Sequence, residues 1–239
     1  MLSAEVTKAI VPAAGLGMRL RPLTCKTPKE MFPVKNMPAI EWVVKEILGA
    51  GIEEIGVIIS RRKRLIREYF EDCTDYRVSW IYQQSPRGLG DAILTARDFI
   101  GGSTFLMALP DDLFSGNASV YLLKHFQGSP LVALWKAAER ERGDYGDVEI
   151  ERVSEGLFQI HRFALGTTDQ SNIKVAGRYV ITPEVYDLEA RRKRNLELRE
   201  GMLFNMTMEA FGTKYYGILL PGSEFARTDI GREWRDDFK

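Results

Sequence analysis

Only two cysteines occur in the 239 residues, Cys25 and Cys73. Their spacing excludes a C-x-x-C zinc or redox motif, and their number excludes a disulfide scaffold, so both read as free thiols of a reducing compartment. Charge of one sign is also missing. Lysine plus arginine number 33 and aspartate plus glutamate number 33, which leaves no surplus of cations to hold a long polyanion, so nucleic acid is not an expected partner. No apolar run reaches the length of about 18 residues that a membrane span needs, and residues 1–7 contain no signal-like apolar core. The expectation is a soluble, cytoplasmic protein without a membrane partner. Internal repeats, low-complexity tracts and Pro/Gly/Ser-rich linkers are lacking too. With 45% apolar residues, the chain can bury a core, and one domain over residues 1–239 is expected.

What is present alternates between two periods. Residues 6–14 are small and aliphatic without polar alternation, as in a strand buried on both faces. Residues 38–50 place Ile40, Val43, Val44, Ile47 and Leu48 at helical spacing, with Gly51 as the C-terminal cap. Strands follow at 54–60, 77–82 and 104–109, and helices at 61–70 and 88–100, the latter with Leu89, Ala92, Ile93 and Ala96 on one side. This order predicts an α/β fold, a Rossmann-like mixed, mostly parallel sheet sandwiched by helices. After Pro130 the rhythm changes to closely spaced strands at 131–136, 145–151, 157–161 and 173–181. Residues 184–199 read as a charged surface helix or mobile segment, and 201–211 as a short helix.

Chemistry concentrates in segments that follow strands. Between the first strand and the first helix lies Ala13-Ala14-Gly15-Leu16-Gly17-Met18-Arg19, continuing through Pro22, Thr24, Pro28 and Lys29. Two glycines let backbone N–H groups approach an anion, and Arg19 and Lys29 bring cations to the same place. A dinucleotide fingerprint needs glycine where Leu20 stands, and a Walker A loop needs a G-K-[ST] that is missing. Taken alone, Gly15 and Gly17 fit an ordinary strand-to-helix turn equally well. Gln83 to Gly90 closes a strand and opens a helix, where an amide and exposed backbone can read the edge of a base. Leu109-Pro110-Asp111-Asp112 ends another strand with carboxylates suited to a hard cation, although Asp112 also suits a helix N-cap. His125 reads as structural, and the clusters of basic residues from Arg61 and Arg191 as solvated faces.

The run Gly15, Gly17, Arg19, Pro22, Thr24, Pro28, Lys29 resembles the opening motif of the sugar nucleotidyltransferases, or nucleotide-sugar pyrophosphorylases. Lys29-Glu30-Met31 followed by Pro33 looks most like the bacterial UTP:glucose-1-phosphate uridylyltransferases. The resemblance implies a nucleotidyltransferase A-type fold with residues 1–112 as the nucleotide half and 113–239 as the sugar-phosphate half. It implies transfer of a nucleotidyl group from an NTP, UTP first, to a sugar 1-phosphate such as glucose 1-phosphate, with Mg²⁺ as cofactor and release of pyrophosphate. Ala13, Ala14, Gly15, Gly17, Gln83, Gly88 and Asp111 are then nucleotide-binding, and Asp111 and Asp229, the latter in Thr228-Asp229-Ile230-Gly231, hold the metal. Arg19 serves the leaving pyrophosphate, Lys29 the α-phosphate and the incoming phosphate, and Arg162 the sugar phosphate. Tyr145-Gly146-Asp147-Val148 and Ser171-Asn172, with Gly177-Arg178-Tyr179, resemble the sugar-side motifs, giving Gly146, His161, Asn172 and Val175 as sugar-binding.

Here the pattern departs. His161-Arg162-Phe163 stands where the family carries Glu-Lys-Pro; Arg162 keeps a cation, but His161 is no carboxylate. The E-I-Q-L-T-D helix is not recognisable in 201–211, and the C-terminal helices that many members use for oligomer contacts are short or missing, which leaves a homo-oligomer open. Other readings stay open as well: a different base or sugar, a non-catalytic nucleotide-sugar sensor, and a nucleotide-dependent dehydrogenase, which the missing third glycine argues against.

Overall fold

The odd and even residues of the first strand divide the protein into two cores. In the computed structural model, which describes residues 6–137, 147–164, 172–191, 197–222, 224–225 and 227–229, β1 (Lys8–Pro12) is buried on both sides. Ala9 and Val11 join one apolar cluster and Ile10 the other. Such a strand has no solvent face to mark with polar residues, which is why it reads as a continuous apolar run.

The chain then forms β2 (Pro33–Val34), β3 (Met37–Pro38), α1 (Ala39–Gly49), β4 (Glu54–Ile59), α2 (Arg64–Glu71), β5 (Ser79–Tyr82), α3 (Leu89–Thr95), α4 (Arg97–Ile100) and β6 (Phe105–Ala108). The helix expected over 88–100 is thus two, divided at Ala96, whose ψ of 4° lies outside the helical range. Beyond β6 come β7 (Asp112–Phe114), α5 (Ala118–Lys124), β8 (Leu131–Lys136), β9 (Val148–Ser154), β10 (Leu157–Phe163) and β11 (Ile173–Ile181). A 3-10 segment (Pro183–Arg191), α6 (Glu200–Phe211), β12 (Tyr215–Leu219) and β13 (Arg227–Asp229) follow. Of the basic cluster from Arg61, Arg61, Arg62 and Arg64 are exposed as expected, but Lys63 is buried; α2 carries Arg64–Glu68 and Arg67–Glu71 pairs one turn apart, and His125 caps α5 with its ring on the Tyr121 carbonyl.

Among the described residues, nine strands form one sheet in the order β5-β4-β1-β6-β11-β8-β12-β10-β9. Strands β5, β4, β1 and β6 are parallel; β11 runs antiparallel to both β6 and β8. Strand β12 was not foreseen from its sequence. It enters parallel to β8, where Gly217 makes room for Leu134: a Cβ there would lie 2.4 Å from Leu134 Cδ1. Helices α1 and α5 cover one face through Ile40, Val43, Ile47 and Leu122, and α3 and α6 cover the other through Ile93, Leu203 and Phe204. The mixed sheet between helices is the predicted fold class. Among the described residues no helix is long and apolar enough to cross a membrane.

The connections fix where a site can lie. From β1 the chain steps outward to β4 and β5, then returns to the opposite side of β1 with β6. Order therefore reverses between β1 and β6, and in open α/β sheets the crevice outside the carboxyl ends at such a point is the ligand site.

Candidate active site

The loop leaving β1 is tied at its root. Ala13 N–H donates to the Ile58 carbonyl at 2.7 Å, and Ala13 and Ala14 are buried, so larger side chains have no room. Gly15 is exposed, and a Cβ there would meet nothing within 4 Å. Gly17 takes a left-handed conformation, φ 61°, and its carbonyl accepts from Thr24 Oγ1 at 2.7 Å and from Leu20 N–H at 3.0 Å. Those bonds close the loop on itself, which explains the Gly-x-Gly…Thr spacing. The Arg19 backbone lies in the 3-10 turn Met18–Leu20; its side chain lies outside the described residues.

The next turn sorts two adjacent side chains. In Lys29–Met31, Glu30 is 1% exposed and accepts from Lys63 Nζ at 2.7 Å. Burial pushes its carboxyl above the usual range against the opposing charges of Lys63 and Lys29. Lys29 points the other way and forms an ion pair with Asp111, in the turn between β6 and β7. One step on, β13 pairs antiparallel with β7 so that Asp229 stands opposite Asp112. The Asp229 side chain lies outside the described residues, but its backbone register brings the two predicted metal-bearing segments side by side. Asp112 is buried and does not cap a helix. The N-cap of α5 is Asn117, whose Oδ1 accepts from Val120 N–H at 2.8 Å.

The base-reading candidates also converge. Gln83 is buried, and its Nε2 donates to Asp91 Oδ2 at 2.6 Å and to the Gly88 carbonyl at 3.3 Å. With the amide nitrogen engaged inward, Oε1 remains as an acceptor suited to an imide N–H. Gly88 has φ 99°, and a Cβ there would lie 2.3 Å from the Leu198 carbonyl oxygen. Leu198 N–H donates to the Arg87 carbonyl and Gly90 N–H to the Leu198 carbonyl, so residues 197–199 clasp this turn.

On the sugar side Tyr145, Gly146 and Ser171 lie outside the described residues. Asn172 accepts from Ala137 N–H at 2.7 Å, and Val175 sits half-buried on β11 opposite Leu134. His161 and Arg162 are exposed on β10 and meet carboxylates of β9, His161 with Glu151 at 3.0 Å and Arg162 with Glu149 at 3.6 Å. The following Phe163 is gripped by Asn205 of α6, which accepts from its N–H at 2.9 Å and donates to its carbonyl at 2.8 Å.

The structure thus brings Lys29 to Asp111, Gln83 to Gly88, and the Asp229 backbone to β7. Sequence reading missed three supports: Lys63 under Glu30, Asp91 behind Gln83, and the fully buried Arg178. Only Arg178 left a signal, as an arginine inside the otherwise apolar end of β11. Among the described residues no cluster of three or more His, Cys, Asp or Glu side chains could hold a metal ion.

Comparison with known proteins gives the family. A UTP-glucose-1-phosphate uridylyltransferase of Staphylococcus saprophyticus is 31% identical over 220 residues, spanning 79% of this chain and 76% of that protein. One from Streptococcus pneumoniae is 29% identical over 269 residues, spanning 96% and 87%. The crystal structure of a UDP-glucose pyrophosphorylase complexed with UDP-glucose superposes with a TM-score of 0.83 at 27% identity, covering 95% of this chain and 94% of that one. Residues 8–236 match the family model described as Nucleotidyl transferase, and the chain belongs to that family.

Proposed function

We propose that this chain is a cytoplasmic, single-domain sugar-1-phosphate nucleotidyltransferase that joins UTP and glucose 1-phosphate to give UDP-glucose and pyrophosphate. The observation that carries this reading is the meeting of Lys29 and Asp111 at the β1/β6 reversal, a cation and a carboxylate where a nucleotide phosphate and its metal need them. Similarity to uridylyltransferases at about 30% identity supports the choice of substrates.

An oxygen of the sugar phosphate attacks the α-phosphorus in line, the bond to the bridging oxygen breaks, and pyrophosphate leaves with the bond's electrons. Such a transfer depends on positioning and charge neutralisation, with no covalent enzyme intermediate. The open backbone at Gly15 and the turn at Gly17 receive the phosphates, Arg19 holds the departing pyrophosphate, and Lys29 holds the α-phosphate and the incoming nucleophile. Gln83 Oε1 accepts the uracil N3–H, and Gly88 lets the base approach the backbone. Gly146, Asn172, Val175 and His161 line the sugar, and Arg162 meets its phosphate.

Asp111 and Asp229 suit Mg²⁺: both are hard oxygen donors, one or two carboxylates plus phosphate oxygens satisfy this ion, and Asp111 already accepts a cation in Lys29. When bound, Mg²⁺ neutralises charge on the phosphates. A different sugar is favoured by one observation, the engagement of His161 by Glu151 where a carboxylate would take sugar hydroxyls. The test of the metal assignment is Asp111→Asn assayed with Mg²⁺; turnover equal to the unmodified protein removes it.

A further inference from the structure

We infer that the buried Arg178–Glu46 pair positions Asp111, holding the turn that carries it against the helix that follows the Lys29 loop; the inference rests on the metal reading above. Arg178 is 0% exposed. Its Nε and Nη2 donate to the two carboxylate oxygens of Glu46 at 2.9 and 2.7 Å. The same guanidinium donates to the Asp112 carbonyl at 2.9 Å, the Leu109 carbonyl at 3.3 Å and the Gly177 carbonyl at 3.1 Å, and it lies 5.3 Å from the Phe114 ring centroid.

Two of those carbonyls decide the matter. Leu109 and Asp112 bracket Pro110 and Asp111, so the guanidinium spans the base of the turn and fixes both of its ends. The β11 backbone must come close for this. Leu109 N–H donates to the Gly177 carbonyl at 2.9 Å, and Gly177, φ 60°, leaves space that a Cβ would deny, 2.7 Å from Asp112 Oδ2. Glu46 is fixed in turn by α5, accepting from Ser119 N–H at 2.9 Å and Ser119 Oγ at 2.6 Å. It belongs to α1, whose first N–H, that of Ala39, donates to Phe32 at 3.0 Å, while Phe32 N–H donates to the Lys29 carbonyl. Asp111 and Lys29 therefore belong to segments joined beneath the crevice by one ion pair.

A buried ion pair adds little net stability over a well-packed apolar pair, because desolvation offsets the attraction. What this one supplies is direction. Only a planar fork can engage a carboxylate with one edge and backbone carbonyls with the other, and a lysine ammonium cannot. Partners that orient a metal ligand commonly govern metal affinity without touching the ion.

The test is Mn²⁺ binding to the full chain in the presence of UTP, followed by electron paramagnetic resonance, for Arg178→Lys, Glu46→Gln and Asp111→Asn. The expected result is a dissociation constant raised about ten-fold in each of the first two, with their UTP binding in the absence of metal unchanged, and loss of Mn²⁺ binding in the third. Glu46→Gln, which keeps the shape of the side chain, decides the matter if Arg178→Lys does not fold. Unmodified Mn²⁺ affinity in the positioning variants, with Asp111→Asn defective, overturns the inference alone and leaves the pair a structural support. Unmodified affinity in Asp111→Asn removes the metal reading and the inference with it.

Discussion

Lys29 and Asp111, 82 positions apart in sequence, meet as an ion pair at the mouth of the sheet, with side chains 26% and 22% exposed. The lysine ammonium thus holds one of the carboxylates expected to hold a metal. Replacing it separates two roles. Lys29→Gln is expected to lower turnover about 10²–10³-fold, the scale of losing one charge-stabilising group. In the absence of nucleotide it is expected to tighten Mn²⁺ binding, because the competing cation is gone. A titration showing weaker Mn²⁺ binding in the variant contradicts this account of the pair.

Gly88 is the second point where substitution is informative. An alanine Cβ would collide with the Leu198 carbonyl and occupy a φ of 99° that other residues rarely adopt. Gly88→Ala is expected to cost about 1–3 kcal/mol in thermal or denaturant unfolding and to weaken UTP binding as residues 197–199 are pushed from the turn. Unmodified UTP affinity in a calorimetric titration contradicts the assignment of this turn to the base.

Legibility followed local signals. The strands expected at 131–136 and 173–181 match β8 and β11 residue for residue, because apolar runs bounded by turn residues define themselves. Gly17 and Thr24 were legible because loop closure demands particular residues at particular steps. Helix 88–100 was read as continuous because the break at Ala96 comes from the backbone, where periodicity leaves no mark. Strand β12 was missed since a short Tyr-Tyr-Gly-Ile-Leu run gains its place from partners distant in sequence, β8 and β10, on its two sides. Asp91 and Lys63 stayed hidden for the same reason, and Arg178 shows in the sequence only as a charge in an apolar strand: each matters through a partner distant in sequence or through burial.

The contact between Tyr69 and Glu41 makes stability depend on pH at both ends. Burial works to raise the Glu41 carboxyl, but hydrogen bonds from Tyr69, Lys45 and Tyr76 hold it below its ordinary value of 4.5. Burial, with Glu41 beside it, pushes the Tyr69 phenol from 10.0 up to about 12. A lowered carboxyl contributes stability above 4.5 that is lost as pH falls through its folded value. A raised phenol contributes stability that is whole below 10.0 and lost as pH rises through about 12. Tyr69→Phe is expected to cost about 1 kcal/mol near neutrality, and the difference from the unmodified protein is expected to shrink in both windows. Denaturant unfolding across the pH range checks it, and a difference independent of pH contradicts the linkage.

The most direct measurement of the central claim is pyrophosphate release with Mg²⁺ from each of the four common ribonucleoside triphosphates and dTTP, offered with glucose 1-phosphate and other sugar 1-phosphates. The account predicts release with UTP and glucose 1-phosphate, strictly dependent on both, and its loss in Asp111→Asn. No release from any pair, while UTP still binds, would contradict catalysis and point to a nucleotide-sugar sensor.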